Sequence, residues 1–158
     1  MSTAQWPGEG DAMPDIAMET LDGESVRPSD FEGRKAVFFF YPKDNTPGCT
    51  SEAKDFSRLK DRFAQANTVI LGISKDSPAK HRNFIATHDL TVDLATDPQD
   101  DGLSDALGIW TEKSMFGKKY MGMVRTTYLV DADGTIQRVW RKVKVKGHAE
   151  EVLEAANA

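Results

Sequence analysis

The chain has 158 residues, with 20 basic and 25 acidic side chains for a net charge of −5, a single cysteine and a longest apolar run of six residues, Ala36–Tyr41. One cysteine excludes an intrachain disulfide, six apolar residues fall far short of the roughly 20 that span a bilayer, and the acidic balance argues against a polyanionic partner. A chain of this length buries about 70% of its unfolded surface as one domain, so residues 1–158 are expected to fold as a unit, with 1–12 flexible. The first eleven residues have neither a basic start nor an apolar stretch, so they do not read as a secretory signal, and a reducing, cytoplasmic setting is expected.

In chain order, Ile16–Arg27 places the turn residues Leu21-Asp22-Gly23-Glu24 between short mixed runs and predicts a small hairpin. The continuous aromatic run Ala36–Tyr41 predicts a strand covered on both faces, ended by Pro42. From Thr46 the period changes. Ala53, Phe56, Leu59, Phe63 and Ala64 recur at three- and four-residue steps and mark the inward face of a helix, with Lys54, Arg58, Lys60 and Asp61 wet. Thr46 suits the N-cap and Pro47 the first helical position, which puts Cys49 third.

Val69–Ile73 reads as a second buried strand, Ser77-Pro78 opens a helix through Thr87, Thr91–Ala95 is a short strand, and Asp101–Gly108 a short helical stretch. Trp110–Gly122 is expected to be irregular, bending at Gly117. Asp131-Ala132-Asp133-Gly134 between Thr126–Val130 and Thr135–Trp140 is a hairpin signature rather than a calcium loop, because the remaining acidic ligand positions are missing. Arg138, Arg141, Lys142, Lys144 and Lys146 alternate with valines and are expected on the wet face of a strand. Gly147–Ala156 closes as a helix. Strands alternating with helices, then a hairpin and a final helix, imply an α/β fold with a mixed central sheet flanked by helices and an N-terminal hairpin extension.

Cys49 carries the chemistry. A thiol in the first turn of a helix meets backbone N–H groups without partners and the positive end of the macrodipole, both of which favour thiolate. Arg125 begins the strand leading to Val130, and if that strand neighbours Ala36–Tyr41 its leading end reaches the loop carrying the thiol. The Thr46 hydroxyl, N–H groups near Cys49 and the Arg125 fork would then hold two oxygens while one leaves as an anion. Plainer readings stand beside these: Cys49 as a small buried apolar residue, Arg125 as a surface charge, Thr46 as a simple cap, and Glu52 as a carboxylate complementing the helix dipole rather than tuning Arg125. His81, His88 and His148 follow no metal-ligand spacing, so neither a metal nor a cofactor is expected.

The segment Pro42-x-x-x-Thr46-x-x-Cys49 resembles the active-site motif of the peroxiredoxins, thioredoxin-fold thiol peroxidases. The run Tyr41–Glu52, the stretch Lys113–Gly122 and Arg125–Asp131 are similar to the Q-type branch, also called bacterioferritin comigratory protein, and the likeness runs from about Met13 to the C-terminus. The resemblance implies that Cys49 is the peroxidatic cysteine, that Thr46 and Arg125 bind and polarise peroxide, that Pro42 shields the pocket, and that Glu52 supports them. It implies reduction of hydrogen peroxide or an organic hydroperoxide through a sulfenic acid on Cys49.

Lys54 stands where many Q-type members carry a resolving cysteine, and no later cysteine replaces it. The resemblance therefore implies recycling by an external thiol: thioredoxin, glutaredoxin or glutathione. A monomer is expected, with no nucleic-acid or membrane partner. A non-catalytic redox sensor or binding module using oxidation of Cys49 is the alternative function, and a thiol–disulfide exchanger fits less well because exchangers usually present two cysteines.

Overall fold

A computed structural model describes residues 6–158. The first two strands, β1 (Met18–Glu19) and β2 (Ser25–Val26), form the small antiparallel hairpin that the Asp22-Gly23 turn predicts. They edge a sheet that continues with β3 (Lys35–Phe40), β4 (Thr68–Ser74) and β5 (Asp93–Thr96), and later β8 (Thr126–Val130) and β9 (Ile136–Trp140). The order is β2-β1-β5-β4-β3-β8-β9, seven strands among the described residues. β3, β4 and β5 are parallel, and β8 and β9 antiparallel, which is the mixed sheet expected.

The parallel pairs need crossovers, and these are α1 (Pro47–Gln65) and α2 (Pro78–His88). The short α3 (Leu103–Ala106) and the closing α4 (His148–Asn157) follow, besides a 3-10 turn at Pro28–Phe31. Because alternate side chains of a strand face opposite ways, β3 supplies Val37 and Phe39 to one core with Phe56, Phe63 and Val152, and Phe38 and Phe40 to another with Tyr128 and Ile136. Phe39 stacks on Phe56 with ring centroids 4.6 Å apart, fastening α1 to the sheet. Burial of such a ring contributes about 1.5–3 kcal/mol.

Three expectations are corrected. Trp110–Gly122 is not irregular: β6 (Trp110–Met115) and β7 (Lys118–Met123) form a second hairpin turning at Phe116 and Gly117, both at positive φ. Ala64 is exposed, because Phe63 takes the inward position in the last turn of α1. Of the basic cluster only Arg138 lies in a strand; Arg141, Lys142, Lys144 and Lys146 belong to the loop before α4, where Lys142 has φ 50°. The flexible stretch expected over 1–12 falls partly outside the described residues, and Gly10 and Asp11 are tied to Ile136 by backbone hydrogen bonds of 2.9 and 2.8 Å.

The β6–β7 hairpin leaves Met115, Phe116, Tyr120 and Met121 exposed. Among the described residues, no helix is long and apolar enough to cross a membrane.

Candidate active site

The site forms where the loop after β3 enters α1. Thr46 occupies the N-cap with φ −91° and ψ 153°, Pro47 the first turn, and Cys49 the third helical position. The cap differs from expectation in one respect: the Thr46 hydroxyl donates to the Lys43 carbonyl at 2.8 Å instead of accepting from the helix. Its backbone carbonyl accepts from Thr50 N–H at 2.8 Å. Pro47 has no N–H to orphan, so the first-turn donors of Gly48 and Cys49 remain, and among the described residues neither has a backbone acceptor.

The Cys49 side chain is buried, at 1% exposure. Arg125, immediately before β8, donates from Nη2 to Cys49 Sγ at 3.2 Å and from Nη1 to Glu52 Oε1 at 2.7 Å. The contact exists because β8 pairs with β3 in the register Phe40↔Thr126, so the start of β8 lies beside the end of β3 and the loop leading to α1. Glu52 follows Cys49 by three positions and shares its helix face. Cys49, Arg125 and Glu52 are thus joined by direct contacts. Thr46 stands one turn before them, and Pro42 is exposed in the loop.

Electrostatics follow from burial. Desolvation raises the Glu52 carboxyl to about 7, although the Arg125 guanidinium pulls the other way. Burial works against the Arg125 charge, but Glu52 and then Cys49 outweigh it and push the guanidinium above its ordinary value. Lys113 of β6, donating to the Met123 carbonyl at 2.5 Å, is lowered by burial and then by Arg125, while the charge of Cys49 works the other way. The second hairpin therefore lies within electrostatic reach of the sulfur.

Two polar clusters around the site were not legible as functional groups. Tyr41 Oη donates to Asp44 Oδ1 at 2.6 Å, and Asp44 Oδ2 lies 2.7 Å from His81 Nδ1. His81 Nε2 faces the Ala95 carbonyl at 3.1 Å, and because a carbonyl only accepts, Nε2 carries the hydrogen of that contact. This lock fixes the loop two residues ahead of Thr46. The other cluster lies behind Arg125: His148 Nε2 is 2.8 Å from Thr127 Oγ1 and 4.0 Å from Glu52 Oε2. No spacing rule connects these histidines to Cys49; only the polar residue Asp44 inside an otherwise apolar-to-turn transition gave a signal.

Comparison with known proteins agrees with the geometry. The family model described as AhpC/TSA family matches residues 9–139. Peroxiredoxin Bcp of Bacillus subtilis (strain 168) is 44% identical over 145 residues, covering 92% of each chain. The solved structure of Xanthomonas campestris peroxiredoxin Q superposes with a TM-score of 0.84 at 38% identity, over 92% of this chain and 96% of that one. A structure of the Xanthomonas campestris bacterioferritin comigratory protein, described with its alkyl peroxide reduction activity, gives 0.83 at 37% identity over 92% and 97%. With a buried thiol at a helix mouth, a guanidinium on its sulfur and one cysteine in the whole sequence, the chain belongs to the AhpC/TSA family as a thioredoxin-fold thiol peroxidase of the Q-type, bacterioferritin comigratory protein branch, without the resolving cysteine.

Proposed function

We propose that this peroxiredoxin reduces hydrogen peroxide and organic hydroperoxides by a one-cysteine cycle centred on Cys49. The thiolate attacks the terminal oxygen of the hydroperoxide, the O–O bond breaks, and the leaving oxygen takes a proton to depart as water or alcohol. Cys49 is left as a sulfenic acid. An external thiol then attacks that sulfur, releasing water and forming a mixed disulfide, and a second thiol frees Cys49. Thioredoxin, glutaredoxin and glutathione are the candidate reductants.

The observation that carries this reading is the Arg125 Nη2 to Cys49 Sγ contact of 3.2 Å at a helix N-terminus. Arg125 favours the anionic sulfur and, with Gly48 and Cys49 N–H groups and the Thr46 hydroxyl, offers donors to the two peroxide oxygens. In this reading Glu52 anchors Arg125 and Pro42 closes the rim of the pocket. The alkyl peroxide activity described for the Xanthomonas relative supports an organic hydroperoxide as substrate. Residues 1–158 act as one domain, in a reducing compartment such as the cytoplasm.

Cys49, Arg125, Glu52 and Thr46 come from one chain, so the chemistry needs no second copy, and a monomer is the working form. Light scattering after gel filtration measures it. The exposed apolar side chains of the β6–β7 hairpin, which the sequence did not reveal as an unpaired surface, are where a second copy would appear if the mass doubled.

Mass spectrometry tests the cycle. One equivalent of peroxide adds one oxygen to Cys49, and an external thiol removes it over repeated rounds. Oxidation without recycling by any of the three thiols would leave only the sensor function. A Cys49-linked dimer as the main product would replace the one-cysteine cycle by an intermolecular one.

A further inference from the structure

Glu52 is almost wholly buried, at 1% exposure, yet only one of its oxygens is used. Oε1 accepts from Arg125; Oε2 has no hydrogen-bond partner among the described residues and no access to water. An unpaired carboxylate oxygen in such a place is costly. His148 presents a polar edge to it, with Nε2 4.0 Å from Oε2. His148 is 5% exposed, and its ring is held edge-on against Phe56 and Trp140, with centroids 6.0 and 5.9 Å away. Thr127 Oγ1, 2.8 Å from Nε2, fixes the same edge.

We propose that His148 is a positioning residue for the peroxidase reaction: it sets the charge of Glu52 through the unpartnered Oε2, and so sets how much of the Arg125 charge is left for the Cys49 sulfur and the bound peroxide. An ionised Glu52 shares the guanidinium with the sulfur. A protonated Glu52 leaves the positive charge facing the sulfur alone. The His148–Thr127 pair is the polar surface that lets the carboxylate persist on its buried side. Deleting that surface takes the polar edge away from Oε2 and favours the proton.

His148 also lines an open cavity of about 350 Å³ together with Arg141, Lys142, Lys144, Lys146 and Glu151. The other charged groups acting on the Glu52–His148 pair are Arg125 and Asp55 around Glu52, and Glu151 and Arg125 around His148, with Cys49 on the far side of Arg125. Burial lowers His148 to about 4, which keeps its ring neutral where Glu52 titrates.

This inference rests on the peroxidase reading of Cys49, and two measurements on the full-length protein keep the two apart. Carboxyl ¹³C NMR follows Glu52 in the reduced protein from pH 5 to 9, and stopped-flow tryptophan fluorescence follows oxidation by hydrogen peroxide over the same range. His148→Phe is expected to raise the Glu52 midpoint by at least about half a pH unit and to move the pH–rate profile with it. His148→Gln, whose amide presents a polar edge, restores both. In a Glu52→Gln background, His148→Phe leaves the profile in place. An unmoved Glu52 midpoint, or an equal change of profile in both backgrounds, overturns the proposal; if His148→Phe does not fold, His148→Met with the same two readouts decides. A Cys49 that does not react with peroxide in the parent chain overturns the reading beneath it, and the Glu52 signal distinguishes that failure from failure of the pair.

Discussion

Gly48 faces the Arg125 guanidinium: a β-carbon at position 48 would stand 3.2 Å from Nη2, the same nitrogen that donates to the Cys49 sulfur. That spacing is tighter than ordinary van der Waals contact, so an added methyl requires the guanidinium to shift by a few tenths of an ångström from where it meets the sulfur. Gly48 lies in the first turn of α1, where alanine is the better helix former by about 1 kcal/mol at most. Gly48→Ala is therefore expected to hold or raise the thermal midpoint while slowing peroxide oxidation of Cys49 by roughly tenfold or more, the loss of part of one charge-assisted hydrogen bond. Equal oxidation rates in stopped flow would show that the guanidinium has room to give way.

Arg125→Met removes the donor to sulfur and strands Glu52. The oxidation rate should fall by about 10²–10³-fold, as for loss of one preorganised donor. Stability should drop by about 3–5 kcal/mol, because the buried carboxylate loses its partner. Adding Glu52→Gln should return much of the stability and none of the rate. Urea denaturation of the single and double variants reads the first effect and single-turnover kinetics the second; joint recovery of both would assign Arg125 a purely structural place.

Glu52 and His148 make opposite contributions to stability against pH. Glu52, raised by burial to about 7, stabilises the fold fully below its unfolded value of 4.5, and that contribution is lost as pH rises through 7. His148, lowered by burial to about 4, contributes above its unfolded value of 6.5, and the contribution is lost as pH falls through 4. Each amounts to about 3 kcal/mol, so between pH 4.5 and 6.5 they nearly offset one another. Glu52→Gln leaves the histidine's acid limb uncompensated. The stability difference between parent and variant should widen by about 3 kcal/mol on going from pH 7 to pH 4.5, and a difference independent of pH would contradict the burial argument.

Asp44 accepts from Tyr41 and pairs with a His81 whose second nitrogen is already committed to Ala95. Asp44→Asn turns one of the two oxygens that meet Tyr41 and His81 into a donor. A loss of about 1–3 kcal/mol is expected from the buried hydrogen bond left unmade, with faster amide exchange across the loop from Lys43 to Gly48. Hydrogen exchange measured by mass spectrometry reads the loop; unchanged protection there would confine the effect of Asp44 to the core.

Much of this site was legible because its elements are periodic. The aromatic run before Pro42 and the three- and four-residue steps after Thr46 placed Cys49 at the helix mouth, and the order of elements suggested the adjacency that the register Phe40↔Thr126 gives Arg125. The β6–β7 hairpin escaped because Met115, Phe116, Tyr120 and Met121 are exposed among lysines, so neither strand writes the half-buried alternation by which strands are read. The basic residues after Trp140 failed in the opposite direction, since their alternation mimics a strand in what is a loop. Glu52 was visible as a helix-face neighbour of Cys49. Its dependence on His148, 96 positions onward by number, is a contact that only the packing of α4 on α1 creates.

The bulge in the β8–β9 ladder sits between Leu129 and Val130, at the far end of β8 from Arg125. Irregularity is thereby kept away from the end that aims the guanidinium, and the unbroken pairing of Thr126–Val130 with β3 acts as a ruler for it. Changes in length should be absorbed by the Asp131–Gly134 turn, whereas one residue inserted between Thr127 and Val130, with the rest of the strand held in register, would rotate Arg125 and Thr127 to the opposite side of the sheet together, emptying both ends of the buried polar chain at once.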